Sequence, residues 1–238
     1  MTLIQQALSQ NAIWVVFQPV VDLLTSEIFS YEALVRSSMP DLHDAQSLID
    51  RSVQEKMCGR LGRELRIMAS EGCPEKALFL NIHPKEFDEG WLVRPDDAIF
   101  THNNSVYLEI TESIPLSKFQ YYKSVLTELR FKGISLAVDD LGSGYSNLKY
   151  IADLSPEIVK LDRRMIIGIP TNKRLQILLK ATVRLCSDLG AKTVVEGIET
   201  ADELAAAIDA GAHFGQGYLL ARPSFPPPRV SRNSFVSI

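Results

Sequence analysis

Short apolar runs alternate with longer amphipathic stretches along most of this chain, and that alternation predicts its architecture. Ile4, Ala7 and Leu8 share one face of a short first helix that Thr2 can cap. Residues 13–21 and 28–35 are rich in Val, Ile and aromatic side chains and read as strands, the first interrupted by Pro19. Only residues 22–27 connect them. A parallel crossover needs a dozen or more residues, so this pair is expected to be antiparallel. A polar loop after Arg36 leads into one long helix over 44–70, stopped by Gly72 and Pro74.

Strand-like runs then recur at 77–82, 106–110, 134–138, 158–161, 193–195 and 214–220. Between them the pattern predicts an irregular stretch over 87–100 and helices over 116–131, 145–154, 172–189 and from Thr200 or Asp202 to Ala210. Eight strands with helices between all but the first two argue for a parallel sheet with covered faces. At 238 residues the expected fold is an α/β, modified TIM (β/α)8 barrel with an antiparallel first strand. An open doubly wound sheet is the alternative, and no GxGxxG turn supports it. Pro226-Pro227-Pro228 cannot sit in a helix or an interior strand, so residues 225–238 read as a tail or linker after a single domain over 1–224.

Composition narrows the function classes. With 46% hydrophobic and 23% charged residues, the chain is of ordinary globular make-up. A net charge of -4 gives no general pull toward a nucleic-acid polymer or an anionic membrane, although one site can still bind a nucleotide. No apolar run approaches the roughly 18 residues of a membrane span, and the N-terminus lacks a signal-peptide pattern. Cys58, Cys73 and Cys186 are scattered, which suggests reduced thiols in the cytoplasm and no zinc site.

Candidate chemistry lies at the strand ends. Glu32, Asn81, Glu109, Asp139 with Asp140, Lys160, Glu196 and Gln216 fall at or near the C-terminal ends of seven strands. Each alone could be a turn residue or a solvated charge. In a barrel those ends meet at one mouth, where active sites of this fold lie. Five carboxylates and one lysine leave four uncompensated negative charges in a partly desolvated cleft, an arrangement that is costly without cations. Oxygen ligands with one amide suit Mg²⁺ or Mn²⁺. Two such ions about 3.5–4 Å apart are the recurring device for phosphoester hydrolysis.

The blocks around these residues resemble the EAL family of cyclic di-GMP phosphodiesterases. They are Phe17-Gln18-Pro19, Glu32-Ala33-Leu34-Val35-Arg36, Leu80-Asn81, 108–113, 139–146, 159–163, 195–200 and 216–219. The resemblance covers residues 3–223 and again implies a barrel with an antiparallel first strand. It implies that Glu32, Asn81, Glu109 and Asp139 hold one metal, and that Asp139, Asp140 and Glu196 hold a second. Lys160 would bond the attacking water or a phosphate oxygen, and Glu196 could also act as base. Gln18, Arg36 and Gln216 would contact substrate, Glu112 would anchor the 139–146 loop, and Glu199 would lie near Lys160. Also implied are a homodimer, inhibition by Ca²⁺ and a regulatory domain that would lie outside this chain.

Departures from the family pattern are few: Leu141 for Phe, Ser143 for Thr, Ser37 where Trp is common, and Ile82-His83-Pro84. None removes an implied metal ligand. A receptor that binds cyclic di-GMP without cutting it is the second hypothesis. A barrel whose acids form only surface ion pairs is the third.

Overall fold

The computed structural model describes residues 1–111, 119–144 and 148–230, and the statements that follow concern those residues. Eight strands close into one barrel in sequence order: β1 (Ile13–Asp22), β2 (Ile28–Ser37), β3 (Ala77–Asn81), β4 (Val106–Thr111), β5 (Ser135–Leu141), β6 (Ile158–Leu161), β7 (Lys192–Val195) and β8 (Phe214–Gly215). β1 runs antiparallel to both of its neighbours, β2 and β8, and every other pair is parallel. The short β1–β2 connection leaves no room for a crossover, so the antiparallel start follows from chain length alone.

The helices are α1 (Leu3–Ser9), α2 (Ala45–Gln54), α3 (Cys58–Gly72), α4 (Pro84–Glu89), α5 (Phe119–Phe131), α6 (Leu148–Leu154), α7 (Lys173–Asp188) and α8 (Ala201–Asp209). Thr2 caps α1 and Thr200 caps α8, each through a reciprocal capping box. None is long and apolar enough to cross a membrane.

Three expectations are corrected. The single helix over 44–70 is two helices, because the chain breaks at Lys56, whose φ is +55°. Glu55, at that break, accepts hydrogen bonds from the N–H groups of Leu3 and Ile4 at 3.0 Å each, so the interruption caps α1. The irregular stretch 87–100 is partly ordered, since α4 reaches Glu89 and a 3-10 turn covers Ala98–Phe100. The last strand is two residues instead of seven. Beyond Gly215 the chain loops across the barrel end, and Ser224 returns to bridge Phe17 of β1.

The barrel interior has two contrasting ends. At its floor Val20, Phe79, Ala137, Ile158, Val194 and Phe214 pack together, with Phe29 and Tyr107 against them. Phe29 stacks on Phe214 at 4.1 Å between centroids, and Phe79 on Tyr107 at 4.7 Å. Such contacts add to the burial of apolar area and make the floor a rigid plug. Side chains two residues further along several of the same strands, on the same inward face, are acids, an amide and a lysine. The plug thus supports the polar layer from below.

Candidate active site

Register places the polar layer. Glu32 on β2 stands opposite Gln18 on β1, and Asn81 on β3 stands opposite Glu109 on β4. The Asn81 amide donates to Oε1 of Glu32 at 3.0 Å. Gln216, just past β8, donates to the other Glu32 oxygen at 2.7 Å and to Oε1 of Gln18 at 3.3 Å. Lys160 projects inward from β6, and Glu196 directly follows β7.

Asp139 and Asp140 need a separate explanation, because consecutive strand residues normally face opposite sides. The strand here runs on through both residues to Leu141, further than the expected 134–138. From Val138 to Leu141, β5 advances three residues while β6 advances two, from Val159 to Leu161. That extra residue is a bulge, and Asp140 takes the left-handed conformation with φ +62°. Asp tolerates this region better than most residues. As a result, carboxylate oxygens of Asp139, Asp140 and Glu196 all come within 4.8 Å of one another.

Lys160 lies at the centre, 1% exposed. Its Nζ is 2.6 Å from Oε1 of Glu109, 2.7 Å from Oε1 of Glu196, 3.2 Å from Oε2 of Glu32 and 3.4 Å from Oδ1 of Asp139. Burial alone would lower its affinity for a proton, but these four acids raise it well above the ordinary value, so the ammonium stays charged. The acids divide. Burial and the neighbouring Glu32 charge raise Glu109 well above the usual carboxylate range, against the pull of Lys160. Burial pushes Glu196 up to about 8, opposed by Lys160 and reinforced by Asp139 and Glu32. Glu32 is buried too, yet Lys160 and the amides of Gln216 and Asn81 outweigh that and lower it. Asp140 is raised by burial and by Asp139.

One ammonium against five carboxylates leaves the layer short of positive charge. The shortage also shows in the surroundings of the oxygens: both Glu109 oxygens and Oδ1 of Asp139 are buried, and the Lys160 ammonium is shared among them and two further acids. Converging, under-satisfied carboxylate oxygens are the donor set of hard divalent cations, and the residues present fit such ions.

Beside this layer opens a cleft of about 240 Å³, lined by Gln18, Glu32, Glu196, Glu199, Gln216 and Arg163 among others. Two expected residues make contacts that the sequence did not suggest. Glu199 forms a two-pronged ion pair with Arg163, with one contact at 2.6 Å. Arg36 is exposed beyond Glu32 on β2, and its guanidinium donates back to the Val35 carbonyl at 2.8 Å. Glu112 lies outside the described residues.

Five cleft residues had no role assigned from sequence: Leu34, Arg163, Gly197, Gly217 and Tyr218. All lay inside the blocks that carried the resemblance, but a motif gives no side-chain direction. Gly217 is needed for close approach, since a Cβ there would collide with the backbone of Ile198.

Comparison with known proteins agrees with this geometry. Residues 2–223 match the family model described as EAL domain. The cyclic di-GMP phosphodiesterases PA2567 and RocR of Pseudomonas aeruginosa are each 30% identical to the chain, over 95% and 87% of its length. The chain spans only 41% and 56% of those two proteins. Among solved structures, a standalone EAL protein from Vibrio cholerae, bound to c-di-GMP, superposes with a TM-score of 0.80 at 30% identity, covering 94% of this chain and 97% of that one. A manganese and cyclic di-GMP complex of Klebsiella pneumoniae BlrP1 gives 0.75 at 28% identity, covering 90% and 56%.

Proposed function

This chain belongs to the EAL domain family, and from that premise we propose that it is a phosphodiesterase that opens one phosphodiester of cyclic di-GMP to give linear 5′-pGpG. The observation that carries this reading is the charge-deficient layer itself, four acids within 3.4 Å of a buried Lys160 at the mouth of the barrel, next to a cleft.

Glu32, Asn81, Glu109 and Asp139 would hold one Mg²⁺ or Mn²⁺ ion, and Asp139, Asp140 and Glu196 a second. When bound, the ions supply the missing positive charge and make a water molecule nucleophilic at neutral pH. The protein's own groups do the rest. Lys160, kept protonated by its acids, donates from Nζ to the water oxygen or to a phosphate oxygen and cannot serve as base. Glu196 borders both the acid layer and the cleft, where a carboxylate can accept the water's proton. The water oxygen adds to phosphorus, the bond from phosphorus to O3′ breaks, and O3′ takes a proton from solvent as it leaves, while Glu196 gives the water's proton back to solvent. The phosphate therefore remains on the 5′ side. Gln18 and Gln216 face the substrate from the cleft wall, and Arg36 reaches a phosphate once its guanidinium releases the Val35 carbonyl.

Incubation with cyclic di-GMP and Mg²⁺ or Mn²⁺, followed by nucleotide separation, tests the activity. The expected product is pGpG, with turnover abolished in Glu32→Ala. Tight binding without product would make the protein a receptor instead. Excess Ca²⁺ is expected to suppress turnover, because it prefers longer and looser coordination. Sedimentation velocity tests the homodimer that goes with this proposal.

A further inference from the structure

The barrel wall has a gap beside the site. β8 pairs with β1 only at Val21 and Asp22, so toward the mouth β1 has no ladder partner from β8. The chain fills that position after a loop. The Phe17 N–H donates to the Ser224 carbonyl at 2.9 Å, and the Ser224 N–H donates to the Phe17 carbonyl at 3.0 Å. Outside the barrel the same segment is fastened twice more. Phe225 lies 6.3 Å from the Phe17 ring, and the Tyr31 hydroxyl donates to the Pro228 carbonyl at 2.8 Å.

The next residue on β1 is Gln18, and its side chain answers to this segment as well. Its Nε2 donates to the Ala221 carbonyl at 3.1 Å. A carbonyl can only accept, so this bond dictates which end of the amide faces the strap. Oε1 is thereby turned toward Gln216, which in turn donates to Glu32. A continuous hydrogen-bonded path leads from the strap to an acid that touches Lys160.

We infer that residues 221–230 are a positioning strap: by closing the gap left by a two-residue β8, they hold the Gln18 amide in the orientation that receives the substrate. Ser224 and Tyr31 are positioning residues, since neither lines the cleft. The identity of the ligand rests on the proposed activity, while the strap's contacts do not.

Two readouts test it: calorimetric binding of cyclic di-GMP with Ca²⁺ present to prevent turnover, and steady-state kinetics. Ser224→Pro deletes the N–H that bonds Phe17. It should raise the Kd and KM roughly tenfold, the scale of one lost hydrogen bond, with kcat little changed. Tyr31→Phe should act in the same direction, more weakly. In a Gln18→Ala background neither change should cost anything further, because the group they orient is gone. Equal losses with and without Gln18 would overturn the inference, as would unchanged binding in Ser224→Pro shown by circular dichroism to be folded. If Ser224→Pro does not fold, Tyr31→Phe in both backgrounds decides by the same criteria. Wild-type protein that neither binds nor cleaves the nucleotide overturns the proposed activity and the strap's role with it. Wild type that binds, with both variants binding as tightly, overturns the strap alone.

Discussion

Two buried charge clusters sit in this fold, and they are built on opposite principles. In the first, Arg66 of α3 is 2% exposed between Glu86 of α4 and Asp97. It reaches Asp97 through Nε at 3.0 Å and a terminal nitrogen at 2.8 Å, and Glu86 at 2.6 Å. The remaining carboxylate oxygens take backbone N–H groups, that of His83 for Glu86 and that of Ile99 for Asp97. In the second, Lys160 faces four acids with Asp140 close by, and three buried carboxylate oxygens there have no donor other than that one ammonium. The first cluster is complete within the protein and tethers α3 to the segment before β4. The second is incomplete, which is tolerable only where a ligand supplies what is missing.

The largest effect that would sharpen this contrast lies in the complete cluster. Arg66→Met strands two buried carboxylates, and the expected loss of unfolding free energy is about 3–5 kcal/mol, measured by urea denaturation. Glu86, already raised by burial against the opposing pull of Arg66, would then rise further.

In the incomplete cluster the same kind of change should spare stability and remove function. Asp139→Asn relieves repulsion in metal-free protein, so its melting temperature in a chelator should equal or exceed that of wild type, while turnover falls by about 10²–10³-fold, the scale of losing a charge-stabilising group. A marked drop in the melting temperature of Asp139→Asn would erase the distinction between the clusters.

A third, peripheral cluster gives the smallest effect. Burial alone would raise Glu55, but Arg51 and the N–H groups of Ile4 and Leu3 outweigh it and pull the carboxyl down to about 2. A depressed folded-state value means that the stabilisation is complete above the ordinary value of 4.5 and is lost as pH falls toward 2. Glu55→Gln should therefore cost about 1 kcal/mol at neutral pH, in the range of a helix N-terminal cap. That difference should close across the same acid window, followed by melting temperature against pH.

The parts of the fold legible in sequence are those governed by local rules. A six-residue connection forced the antiparallel start, and apolar runs ending in acids marked the strands that carry the site. Other features depended on contacts between distant segments. The break at Lys56 is explained by Glu55 capping a helix 52 and 51 positions earlier, at Leu3 and Ile4. The bulge that turns Asp139 and Asp140 into one cavity arises from pairing with β6, which periodicity along β5 alone does not reveal. The truncated β8 is legible only once Ser224 is seen occupying the ladder. The ion pair of Glu199 with Arg163, thirty-six positions away along the chain, is likewise a contact that no local pattern reveals.

The central claim is that the layer around Lys160 is completed by divalent cations. Calorimetric titration of Mn²⁺ into metal-free protein tests it most directly. Saturable binding that is lost or sharply weakened in Asp139→Asn is the predicted result. Absence of binding in wild type, or binding that Asp139→Asn leaves untouched, would contradict it.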